Sequence, residues 1–263
     1  MKNVPETLKI LFVGNSFSVD TAEHLASVAV SYGVKSLHFG VLYIGGCSTR
    51  KHYHHITNDV HEYEYFENFG SAWSQTLNVS SVDAIKSDDW DYIAIQHGTA
   101  DGSKYTEIEY YDKFPLLVAE IKKLAPEKAK IVFNMSWVGE PSNPHPEIVS
   151  FNGDTQRMYE IITQITEDFI AKTEDLDFVI PTGTAIQNAR TSRIETLNRD
   201  GYHLSLGLGR FIASLAFFKG VTGADISNPA WMPESMNEYE LAVAIESINN
   251  AFDCYYSVTN SKI

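Results

Sequence analysis

Residues 10–20 read ILFVGNSFSVD. An apolar run stops at Gly14, and Asn15, Ser16 and Ser18 follow at once. A short apolar run bounded by a turn residue has the form of a buried strand. Open α/β sheets place their ligands outside the carboxyl ends of such strands. Whether this tip is a plain turn or a reactive one depends on what the rest of the chain can bring to it.

Further apolar runs follow at intervals. Residues 37–44 (LHFGVLYI), 90–96 (WDYIAIQ), 130–137 (KIVFNMSW) and 177–181 (DFVIP) read as four more strands. Helical periodicity lies between and after them, at 106–124, 154–172, 205–219 and 238–256. Asp20-Thr21-Ala22-Glu23 has capping-box form, which predicts a helix from there to about Tyr32, closed by Gly33. Asn237 is the expected N-cap of the last helix, and Pro115 is where a kink in the 106–124 helix is expected. Strands alternating with helices imply βαβ units. Near-continuous apolar strands imply a sheet covered on both faces. The expected fold is therefore α/β: a three-layer α/β/α sandwich around a parallel sheet of about five strands. No linker or internal repeat divides the chain, so residues 1–263 read as a single domain. Residues 47–80, rich in His, Tyr and Asn, resist assignment.

The net charge of −14 disfavours nucleic acid and anionic lipid as partners. Cys47 and Cys254 make neither a disulfide framework nor a metal quartet. The N-terminal apolar run is too short for a signal peptide or a membrane span, so a cytoplasmic protein is expected, with no membrane partner. Two glycosylation-type triplets, at Asn78 and Asn134, read as chance matches.

Four segments stand where strands end or where a late loop can return to the same edge: Gly14-Asn15-Ser16, Gly45-Gly46, Gln96 and Asp200-Gly201-Tyr202-His203. Acyl transfer from an ester needs a nucleophile, a base, an orienter for the base and donors for the developing oxyanion. Ser16 suits the first role, His203 the second and Asp200 the third. The backbone N–H groups of Ser16 and Gly46, with the Gln96 amide, suit the last. Asn15 and Gly45 flank these positions and are expected to touch substrate. His52, just past the two glycines, is a further contact candidate. So is Trp137, at a strand end, as a platform for a sugar ring or else as core. Ser18 competes with Ser16 as nucleophile, and Cys47 reads as a small buried residue.

In this order the blocks resemble the SGNH (GDSL-type) hydrolases, and within them the DUF4886 group. GNSFS stands for the first block, IGGCS at 44–48 for the second, WDYIAIQHGTADGS for the third and RDGYHLS for the last. TQRMYEII, PTGTAIQNAR and GLGRFIASLAFF add to the likeness, which runs from about residue 8 to about residue 220. The resemblance implies a flavodoxin-like sheet, a Ser-His-Asp site without metal or other cofactor, and deacylation of esters, often acetyl groups on sugars. Gln96 stands where that family has asparagine, a donor side chain one methylene longer.

The leading expectation is thus a serine esterase acting on a small-molecule or glycan ester. Two alternatives remain at this stage. One is a glycan-binding module without turnover. The other is a metal-dependent hydrolase built on His52, His54, His55 and His61, since histidine is a common zinc ligand. The sequence leaves the oligomeric state open.

Overall fold

Alternate side chains of β1 (Thr7–Gly14) point to opposite faces, as the two-residue period of a strand requires. Both faces are buried. Ile10 and Phe12 enter one core, while Leu11 and Val13 enter the other. The computed structural model describes residues 4–98 and 112–263, and β1 sits at the middle of its sheet.

In chain order the structure continues with α1 (Ser16–Ala22), α2 (Leu25–Ser31), β2 (Ser36–Tyr43), α3 (Thr49–Asn58), β3 (His61–Asn68) and β4 (Ser74–Ser80). Next come α4 (Ser81–Lys86), β5 (Tyr92–Ile95), α5 (Lys113–Leu124), β6 (Lys130–Asn134) and α6 (Pro146–Ser150). The remainder is α7 (Thr155–Asp168), β7 (Phe178–Ile180), α8 (Thr182–Ala189), α9 (Leu208–Thr222) and α10 (Glu238–Asp253). Among the described residues the sheet has seven strands, in the order β4-β3-β2-β1-β5-β6-β7. The run β2-β1-β5-β6-β7 is parallel and matches the five strands expected from sequence. On one face α1, α2, α8, α9 and α10 cover the sheet; on the other, α3, α4, α5 and α7 do.

The departure lies in residues 47–80. They fold as α3 followed by an antiparallel hairpin, β3 and β4, that widens the sheet at its β2 edge. The strand pattern of β3 (HEYEYFEN) is real but half-polar: Tyr63 and Tyr65 are buried while Glu62 and Glu64 face outward. The helix α3 hides in the same way, since three of the four side chains on its buried face are polar, Thr49, His52 and His55, and only Ile56 is aliphatic.

Three helix readings shift. Asp20 does not start a helix. It lies inside α1, which begins four residues earlier because Asn15 Oδ1 accepts from the Phe17 N–H at 3.0 Å. Pro115 lies in the first turn of α5, where its missing N–H disturbs no helical bond; residues 106–111 of the expected helix lie outside the described residues. The helix α8 follows β7 directly and carried no distinct signal. The cap of α10 is as expected: Asn237 Oδ1 accepts from the Glu240 N–H at 3.0 Å, and Glu240 Oε2 accepts from the Asn237 N–H at 2.8 Å.

Candidate active site

The end of β1 and the start of α1 are folded tightly together. A Cβ at Gly14 would collide with Ser18 Oγ and lie 2.9 Å from the Gln96 carbonyl. Glycine is needed there so that α1 can turn back over the strand end. Asn15 then caps the helix, and its Nδ2 donates to the Cys47 carbonyl at 3.3 Å, tying the β1 tip to the loop after β2. Ser16 is the first helical residue, a position whose N–H has no acceptor within the helix.

Opposite it stands the loop between α8 and α9. Its arms are joined by an Asn198–Leu204 bridge, and Gly201, at φ +75°, makes the reversal. Asp200 Oδ1 accepts from the backbone N–H groups of Tyr202 (2.9 Å) and His203 (2.7 Å). Its other oxygen accepts from His203 Nδ1 at 2.7 Å. That bond fixes the tautomer that leaves Nε2 as an acceptor, and Ser16 Oγ lies 2.9 Å from Nε2. Burial by itself would raise the Asp200 pKa. The hydrogen bonds from the His203 ring and from the two backbone N–H groups outweigh it and hold the carboxyl at about 2.

Ser16, His203 and Asp200 line one cleft of about 640 Å³ with Asn15, Gly45 and Gly46. Gly46, at φ +60°, adopts a backbone that suits glycine, and among the described residues no atom beyond its chain neighbours stands within 4 Å of where its Cβ would be. Sequence reasoning missed Tyr43, Asn143, His145 and Tyr202, which share the cleft. Each had a weak signal: Tyr43 ends a strand, Tyr202 lies inside the D-x-x-H segment, and the other two sit in the proline-rich loop. His145 stacks on Tyr202 with ring centres 4.3 Å apart. Burial, and then the neighbouring His203, lower its pKa from the ordinary histidine value.

Three expected site residues lie elsewhere. Gln96 is fully buried beneath α1, where its Oε1 accepts from Ser18 and Thr21 Oγ at 3.3 Å each. Its amide nitrogen has no partner among the described residues. It is absent from the cleft wall because the strand end turns its side chain under the helix; Gly98, two residues on, reaches the wall instead. The rest of that block, from residue 99, lies outside the described residues. Trp137 is 1% exposed and is no sugar platform. It stacks on Phe17 at 4.3 Å, with Nε1 donating to the Tyr202 carbonyl at 3.4 Å, and so wedges between the two halves of the site. His52 is also buried, bonded through Nδ1 to Tyr63 Oη at 2.7 Å, and burial depresses its pKa to about 3. Ser18, the rival nucleophile, is buried against Gln96.

The histidine cluster does not assemble. His52 and His55 are buried, while His54 bonds with Asn58 and His61 stands half-exposed near Asp59 and Asp83. Among the described residues no three His, Cys, Asp or Glu side chains are placed to share a metal ion. Nor, among them, is any helix long and apolar enough to cross a membrane.

The sequence profile of the DUF4886 family, a domain of unknown function, matches residues 9–252. This chain belongs to that family. A DUF4886 protein from Bacteroides uniformis has a similar structure, with a TM-score of 0.90 at 29% identity over 97% of this chain and 98% of its own. A variant of Axe2, an acetylxylan esterase from Geobacillus stearothermophilus, matches with a TM-score of 0.50 at 16% identity, over 83% of this chain and 95% of its own. At that identity the likeness is one of fold. No functionally curated protein matches the sequence of this DUF4886 chain.

Proposed function

We propose that this DUF4886 protein is a serine esterase that removes acetyl or another small acyl group from a carbohydrate. The observation that carries the reading is the chain of contacts Ser16 Oγ–His203 Nε2–Asp200 across the cleft, at 2.9 and 2.7 Å. His203 Nε2 takes the Ser16 proton as Oγ attacks the ester carbonyl. The N–H groups of Ser16 and Gly46 hold the tetrahedral anion. The anion collapses, the C–O bond to the alcohol breaks, and His203 returns the proton to the departing oxygen. Water, deprotonated in turn by His203, then releases the acyl group from Ser16. Asp200, ionised throughout, orients the ring and stabilises the imidazolium.

Two supports bear on the substrate. The cleft joins aromatic side chains, Tyr43 and Tyr202, to polar ones, Asn143 and His145, a mixture that suits sugar hydroxyls and ring faces. The fold is shared with an acetylxylan esterase, in which replacing an aspartate by alanine is a catalytic mutation.

The test is hydrolysis of 4-nitrophenyl acetate. Ser16→Ala is expected to lose roughly 10⁶-fold in kcat, by analogy with other hydrolase nucleophiles, and Ser18→Ala to keep activity within about 10-fold, since Ser18 makes only a buried contact. Equal rates for wild type and Ser16→Ala would reject the mechanism. An acetyl-release screen over acetylated oligosaccharides then decides the alcohol part, and tight binding without release would favour a glycan-binding module.

A further inference from the structure

The clearest device outside the reacting atoms is a buried carboxylate one helical turn beyond the nucleophile. Asp20 is fully buried in α1. Its Oδ1 accepts from Arg199 Nη1 at 2.9 Å and from Arg210 Nε at 2.8 Å. Its Oδ2 accepts from the backbone N–H of Leu204 at 2.8 Å. Arg199 immediately precedes Asp200, and Leu204 immediately follows His203. One side chain therefore grips the base-bearing tetrapeptide at both ends, from the same helix that carries Ser16. Arg199 closes the loop on itself as well, through Nη1 to the Leu204 carbonyl and through its N–H to the His203 carbonyl at 3.0 Å. Arg210, anchored in α9, fixes the carboxylate from the far side and reaches Glu23 at 3.3 Å.

We propose that Asp20 is a positioning residue that sets the distance between Ser16 Oγ and His203 Nε2. The inference rests on the esterase reading above and says what holds its geometry. Ser16 and Asp20 are four residues apart on one helix, so their separation along the axis is fixed at about 6 Å. With the carboxylate bound on both sides of the D-x-x-H segment, the base has one seat relative to the nucleophile. A plain fold-stabilising ion pair would need only one of these contacts. Burying a carboxylate has a desolvation cost that pairing only partly repays, and here each of its contacts runs either to the base loop or to an arginine that braces it.

Asp20→Asn keeps the shape and loses the charge and one acceptor. Turnover of 4-nitrophenyl acetate and the rate of modification by a fluorophosphonate are measured on folded protein, with circular dichroism as the check of fold. The expected result is a fall of about 10²-fold in kcat and in the modification rate, the size of a 1 Å misplacement, with KM changed less than about 3-fold, because no cleft contact is lost. Should Asp20→Asn not fold, Arg199→Gln takes its place. It leaves Asp20 paired with Arg210 and Leu204, and about a 10-fold loss of kcat at unchanged KM is expected. Wild-type kcat in whichever folded variant is tested would overturn the proposal. Failure of the wild-type protein to be modified at Ser16 would instead remove the esterase reading beneath it, so the two failures are distinct.

Discussion

The proposed nucleophile and the proposed base are held by different means. Ser16 is placed by secondary structure: a strand end, a glycine that lets the helix fold back and an asparagine cap. His203 lies on an irregular loop placed by side chains from elsewhere in the chain. Asp20 grips it from α1, Asn143 donates to the Asp200 carbonyl at 2.7 Å, and the Trp137 indole N–H meets the Tyr202 carbonyl. Backbone geometry is fixed locally and tolerates much of its surroundings. A loop held by long-range bonds is only as well placed as each partner. Substitutions near the base should therefore cost catalysis, and those near the nucleophile, Ser16 itself excepted, should cost mainly stability.

The largest effects break the base. His203→Ala is expected to lower kcat by roughly 10⁶-fold and Asp200→Ala by roughly 10⁴-fold, with KM little changed, as measured by initial rates on 4-nitrophenyl acetate. A smaller loss for His203→Ala than for Asp200→Ala would contradict the roles assigned.

A second comparison follows from charge. The Asp200 carboxyl is held at about 2 in the fold, below its ordinary value of 3.8. A depressed carboxylate contributes stability that is present above the unfolded value and is lost as pH falls through the folded one. The stability difference between wild type and Asp200→Asn should be constant above about pH 5 and shrink between about pH 4 and 2, as read by denaturant unfolding. Half of this side chain is exposed, so solvent screening keeps the effect small. A difference that stays flat down to pH 2 would show that the loop does not depend on this charge.

The smallest effect belongs to the nucleophile side. Asn15→Ala removes the cap of α1 and the bond to Cys47, and about 1 kcal/mol of stability is expected to go with the cap. Turnover per folded molecule should fall less than about 10-fold. A loss as large as that of Asp200→Ala would erase the contrast between the two halves.

The same contrast explains what was legible in the sequence. The five parallel strands, Gly14-Asn15-Ser16, the paired glycines and D-x-x-H are local patterns, and they could be read. The hairpin β3–β4 is hidden because β3 alternates buried tyrosine with outward-facing glutamate and β4 is almost wholly exposed. Gln96 and Trp137 were misplaced because a residue at a strand end can face the cleft or turn under the neighbouring helix, and sequence position does not distinguish the two. Asp20 has the pattern of a helix cap. Its real partners lie 179 and 190 residues away, a separation that no local pattern signals.

The central claim is that one hydroxyl, from Ser16, is activated by His203. Peptide mapping after reaction with a fluorophosphonate addresses it most directly. The expected outcome is a single stoichiometric adduct on Ser16, lost in Ser16→Ala and slowed by orders of magnitude in His203→Ala. An adduct on Ser18 or another residue, or undiminished labelling of Ser16 without His203, would contradict the account.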